Sequence, residues 1–196
     1  MGAQPVGLPG LAALWLGLFA FAVALVAARR GAGREARGNV TRSRRSMAGI
    51  AVQGCAIFLV AVGVERVVLD PLGGAALAEA AAVAVLMAAA VALFVWSTRT
   101  MGRNWSIVAR TRGDHTLVTT GPFAHLRHPI YTALFLLLVA MAVATGHWPR
   151  LAAAIPLYAL GTWLRIAEEE RMLADLFGGT YAAGTARVPR FVPGVF

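Results

Sequence analysis

Long apolar runs that charge almost never interrupts constrain this chain more than any other feature. Leu8–Ala28 is 21 residues without an ionisable side chain. As a helix it would extend about 31 Å at ~1.5 Å per residue, enough to cross the hydrocarbon of a bilayer. Met47–Val64, Ala75–Ser97 and Ile130–His147 are three further runs. A fifth, Leu151–Leu164, is only 14 residues long before it meets Arg165. Apolar residues are 59% of the chain and charged ones 14%, against about 45–50% and about 25% in soluble domains. That balance excludes disorder, a coiled coil and a nucleic-acid-binding tail, and it argues against an ordinary soluble enzyme. It predicts an all-α polytopic membrane protein with five transmembrane helices, in one structural domain.

Orientation follows from arginine. The chain has 18 basic residues, all Arg, and nine acidic ones. Seven Arg lie in Arg29–Arg45, five in Arg99–Arg127 and four in Arg165–Arg190, whereas Arg66 and Arg150 are alone on the other side. Cytoplasmic loops collect such charge, so the N-terminus is expected outside and the C-terminus in the cytoplasm. The net charge of +9 then points to lipid headgroups, above all at Arg29–Arg45, and not to nucleic acid. Met1–Gly10 has no positive side chain and Arg29 and Arg30 follow the apolar run, an order unlike that of a cleaved signal peptide. Arg, Ala and Gly in place of Lys suit a GC-rich coding sequence, and the expected location is a bacterial inner membrane with the functional site facing the cytoplasm. The single cysteine, Cys55, excludes an intrachain disulfide and a CxxC site.

Several motif matches lack their context. Gly31-Ala-Gly33-Arg-Glu-Ala36 resembles a dinucleotide fingerprint, but it follows a membrane run and no acid lies about 20 residues on. Asn39-Val-Thr41 and Asn104-Trp-Ser106 face the cytoplasm, where N-glycosylation does not occur. His125 and His128 have no Cys or carboxylate nearby in sequence except Asp114, and Pro129 interrupts the helix, so no metal is expected.

Two segments carry more than membrane scaffolding. In the first, from His115 to Tyr131, Gly121-Pro122 reads as a turn, and Pro129 suits the first position of a helix. The entrance of that helix would offer backbone N–H groups to an anion such as a carboxylate. In the second, about 20 helical residues are needed to cross the bilayer. Counted from Leu151, they bring Arg165, Glu168, Glu169 and Glu170 to its inner edge. Charges at that depth line a polar cavity or pair with one another. Arg165 and Glu169, four apart, share a helix face.

Together these segments resemble the isoprenylcysteine carboxyl methyltransferase family and, more loosely, phospholipid methyltransferases. The shared parts are His115-x-Leu-Val118, Gly121-Pro122-Phe123, Arg127-His128-Pro129-x-Tyr131, Arg165-x-x-x-Glu169-Glu170-x-x-Leu173, Phe177-Gly178-x-x-Tyr181 and Val188-Pro189-Arg190. They run from about Gly102 to Pro193. Phe123 stands where the family often has Tyr, and Gly184 where a second Tyr is common. The resemblance divides the chain into an N-terminal three-helix membrane region, 1–98, and a catalytic region, 99–196, whose loop and tail form a cofactor pocket. It implies S-adenosyl-L-methionine (SAM) as cofactor, surrounded by His115, Thr116, Leu117, Val118, Phe123, His128, Pro129, Ile130, Tyr131 and Glu169. Arg165 would face a lipophilic acceptor arriving from the bilayer: a carboxylate, phenol or hydroxyl, thiol or amine of an isoprenoid or other lipid. The family register also implies that Glu168 is the solvent-facing member of the three glutamates. Methyl transfer by in-line displacement needs positioning and neither a protein nucleophile nor a metal. The alternatives are a sterol-reductase-like membrane enzyme using NADPH and a non-catalytic membrane protein. Five runs without paired repeats or broken helices speak against a secondary transporter.

Overall fold

Each apolar run forms a helix. The computed structural model describes residues 2–31, 43–102, 105, 117–185 and 188–191. The helices are α1 (Leu8–Gly31), α2 (Arg44–Ala61), α3 (Gly74–Met101), α4 (Pro129–Ala144) and α5 (Leu151–Thr185). Local chemistry sets their ends. Ser43 Oγ accepts from the Ser46 N–H at 3.2 Å and starts α2 three residues before the apolar run does. Pro129 opens α4, where its missing N–H costs nothing. The turn after α4 holds Gly146 at φ +70, and a Cβ there would lie 2.3 Å from the Gln4 carbonyl oxygen. α5 continues past Arg165 to a break at Gly178, whose φ is +49.

α1 packs on α3, α3 on α4, and α2 on α5. Phe21, Val60, Met87, Phe94, Leu138 and Tyr158 belong to the core between them. α4 is the most enclosed helix: Ala133, Leu138, Ala140, Ala142 and Ala144 are fully buried. α1 and α3, at 24 and 28 residues, are long and apolar enough to cross a membrane, and only 11% and 22% of their most apolar windows are buried inside the protein. Trp15, Leu16, Phe19 and Val85 point outward. Apolar surface on that scale needs a covering other than water, and lipid supplies one.

The bundle has two unlike ends. One is tied by main chain. β1 (Pro5–Val6) pairs in parallel with β2 (Arg66–Val67), and the Gln4 N–H donates to the Gly146 carbonyl at 2.8 Å. This two-residue bridge has no hydropathy signal. At the same end Arg150 donates to the carbonyls of Leu59 at 3.0 Å and Val62 at 2.6 Å, satisfying the last turn of α2. The polar cluster described next occupies the opposite end.

Candidate active site

The segment entering α4 is fixed first. A one-turn 3₁₀ helix, Gly121–Ala124, lies against the end of α3. Gly121 has φ +59, and a Cβ there would meet Thr100 Oγ1 at 2.7 Å and Trp96 Nε1 at 3.2 Å, so neither the backbone nor the space admits a larger residue. The Pro122 carbonyl accepts from the N–H groups of His125 and Leu126, turning the chain toward buried His128, which caps α4.

Four of the residues singled out by sequence converge here. The Tyr131 hydroxyl donates to Glu169 Oε1. His128 Nδ1 lies 3.9 Å from Glu169 Oε2, and its Nε2 lies 3.2 Å from Glu170 Oε1. The Arg165 guanidinium sits over the Tyr131 ring, 4.8 Å from its centroid, where a cation meets the negative face of the ring. Tyr158, from α5, donates to the Tyr131 carbonyl at 2.7 Å and locks this helix pair. Pro129 is buried at the helix start, and Ile130 packs on the core. Leu117, Val118 and Phe123 are half-buried on the segment leading into α4. His115 and Thr116 lie outside the described residues.

The three adjacent glutamates have different surroundings. Glu168 is buried, with 6% exposure, and accepts from Arg171 at 2.9 Å. It is therefore not the solvent-facing member of the three, because α5 turns that face toward its neighbours. Glu170 takes Arg127 at 3.3 Å, His128 at 3.2 Å and Arg190 at 2.8 Å. The His128 imidazole and the hydrogen bond from Arg190 thus close on one carboxylate. An ionised carboxylate only accepts, so His128 Nε2 carries hydrogen. The same bond raises the Arg190 guanidinium above its ordinary value. Burial, then the Glu170 charge, pushes the Tyr181 hydroxyl up to about 12. Glu169 keeps more accessible surface, 28% of its side chain against 18% for Glu170.

A strap formed by Val188–Phe191 closes this end. The N–H groups of Arg127 and His128 donate to the carbonyls of Pro189 and Arg190 at 2.9 and 3.1 Å, and Arg127 Nε donates to the Val188 carbonyl at 2.6 Å. The strap thus takes donors beside the helix entrance that the Pro129 pattern would leave for an anion.

The family model of the isoprenylcysteine carboxyl methyltransferases matches residues 80–175. Residues 80–175 belong to that family. Over 98 residues the chain is 34% identical to a protein-S-isoprenylcysteine O-methyltransferase of Schizosaccharomyces pombe, covering 47% of this chain and 40% of the relative. A protein of the same name from Tribolium castaneum is 31% identical over 100 residues, 48% of this chain and 34% of the relative. A cobalt-zinc-cadmium resistance protein, CzcN, of Cupriavidus metallidurans is 33% identical over 98 residues, 50% of this chain and 45% of the relative. The chain therefore matches less than half the length of each of these relatives.

The methyltransferase-family match begins inside α3, earlier than the motifs suggested, and stops before Gly178 and the strap. It also leaves out α2, which meets the cluster through Gln53. Gln53 accepts from Arg165 at 2.9 Å and donates to Thr162 at 2.7 Å. Sequence reasoning missed Gln53, Tyr158 and Thr162. The available signal was a primary amide in the middle of an apolar run, where a polar group needs a partner.

Proposed function

We propose that this protein is an integral membrane methyltransferase that uses SAM and methylates a lipophilic acceptor. The observation that carries the proposal is the convergence of His128, Tyr131, Arg165 and Glu169 within the residues matched by the family. All five helices cross the bilayer in this reading, with the N-terminus outside and the cluster at the cytoplasmic edge, where most of the arginines lie.

The residues fit the cofactor. Glu169 has one oxygen engaged by Tyr131, the other near His128, and exposed surface left over. It is the carboxylate available to an ammonium group, because Glu170 is already committed to two arginines and His128. When bound, SAM supplies an electrophilic methyl group on a sulfonium. Arg165 sits over the ring of the tyrosine that donates to that carboxylate, and its planar fork can hold an acceptor oxyanion in two-point contact. The methyl would pass to a lone pair of the acceptor that Arg165 orients, with the electrons of the carbon–sulfur bond left on sulfur. An acceptor that is already an anion needs no base. The decisive experiment incubates the purified protein with methyl-labelled SAM and a native membrane lipid extract. Label in a lipid product is expected, and its absence, with no SAM binding by calorimetry, refutes the proposal.

A further inference from the structure

Gln53 is 4% exposed on α2, outside the family-matched residues. A buried primary amide is costly unless both its ends are paired. Here Oε1 takes the Arg165 Nη1 hydrogen and Nε2 donates to Thr162 Oγ1. The guanidinium is a donor only, so the oxygen must face it and the amide has one orientation. The backbones cross closely enough to hold this geometry. A Cβ at Gly161 would lie 2.8 Å from both the Gln53 nitrogen and the Gly49 oxygen, and a Cβ at Gly49 would lie 2.5 Å from Arg165 Cγ. The Tyr131 ring covers the guanidinium from α4. Among the described residues, two neutral groups on two helices thus bear on this cation.

We infer that Gln53 is a positioning residue for the methyl acceptor: it orients the Arg165 guanidinium without adding a negative charge beside it, and so selects a headgroup that binds as an oxyanion. The inference rests on the methyltransferase reading and goes beyond it in naming a residue of α2 that sets the position of Arg165. A glutamate at this position would satisfy Arg165 and Thr162 as well as glutamine does. It would also compete with an incoming anion for the same cation. A merely structural role makes the opposite demand, because there Gln53→Glu should be the benign change and Gln53→Leu the harmful one.

The test uses the full chain in lipid nanodiscs as wild type, Gln53→Leu and Gln53→Glu. Calorimetry measures affinity for SAM, for N-acetyl-S-farnesylcysteine, which carries the group named in two of the relatives, and for the methyl ester of that probe. SAM and ester affinities should stay within about threefold in both variants. Affinity for the carboxylate should fall about tenfold in Gln53→Leu, as for one charge-assisted hydrogen bond. It should fall further in Gln53→Glu, although that variant unfolds no earlier. If Gln53→Leu does not fold, Gln53→Glu decides alone. Carboxylate affinity kept in Gln53→Glu, or carboxylate and ester lost in parallel, overturns the inference. A wild type that binds SAM but holds the carboxylate no better than the ester overturns it while leaving the methyltransferase reading intact. A wild type that binds no SAM overturns both.

Discussion

Replacing Gly161 by alanine should disable the cluster without touching one of its polar groups. The new methyl would lie 2.8 Å from the Gln53 nitrogen and the Gly49 oxygen and 2.9 Å from Gln53 Cγ. Two of these atoms are backbone, so a rotamer change cannot relieve the clash. Comfortable separations are about 3.5 Å or more, so α2 and α5 must part locally by roughly 0.7 Å. The Arg165–Gln53 bond, now 2.9 Å, would then stretch to about 3.6 Å, beyond hydrogen-bond reach. Overpacking of this kind costs about 1–3 kcal/mol of stability. Loss of a hydrogen bond to a charged group adds about 1.5–3 kcal/mol wherever that bond is used. Gly54→Ala is the control on α2, since a Cβ there meets nothing within 4 Å. Unfolding in mixed micelles should show Gly161→Ala destabilised by about 1–3 kcal/mol and Gly54→Ala unchanged or up to about 1 kcal/mol more stable. Methyl transfer should fall at least about tenfold in Gly161→Ala alone. Wild-type stability and turnover in Gly161→Ala would show that the α2–α5 crossing does not set the position of Arg165.

Glu169→Gln should weaken SAM binding at least about tenfold by calorimetry, the worth of one charge-assisted hydrogen bond; unchanged affinity removes Glu169 from the cofactor site. Arg165→Lys keeps the charge but loses the planar fork, so SAM affinity should hold within about threefold while turnover falls about 100-fold, and parallel loss of both would make Arg165 a cofactor or folding residue. Glu170→Gln keeps the shape of the side chain but loses the charge that pairs with Arg127 and Arg190 beside the strap. A spin label at Val188→Cys, in a Cys55→Ser background, should gain mobility when Glu170→Gln is added, and an unchanged spectrum refutes the latch. A cysteine introduced after Pro193 should resist an impermeant thiol reagent in intact cells, and rapid labelling there would overturn the proposed orientation.

The helices and the neighbourhood of the site were legible in the amino-acid sequence because both are encoded locally. Uncharged runs the length of Leu8–Ala28 form helices, Pro129 starts one, and Gly121-Pro122 turns the chain. His128, Tyr131, Arg165 and Glu169 sit in two short segments whose spacing already sets their helix faces. Spacing does not say what covers a face. Gln53 lies 112 residues from Arg165, and only the packing of α2 on α5 makes them partners. The three glutamates look nearly equivalent in sequence, yet Arg171 takes Glu168, Tyr131 takes Glu169, and Arg127, His128 and Arg190 take Glu170. Arg150, conspicuous in sequence because it stands apart from the three arginine clusters, proves to cap the last turn of α2. Helical periodicity sets the direction of each side chain within its own element. The partner it meets depends on how elements distant in sequence dock, and that was decided by the tertiary structure, where backbones close enough to exclude a Cβ at Gly49 and Gly161 brought the amide to the guanidinium.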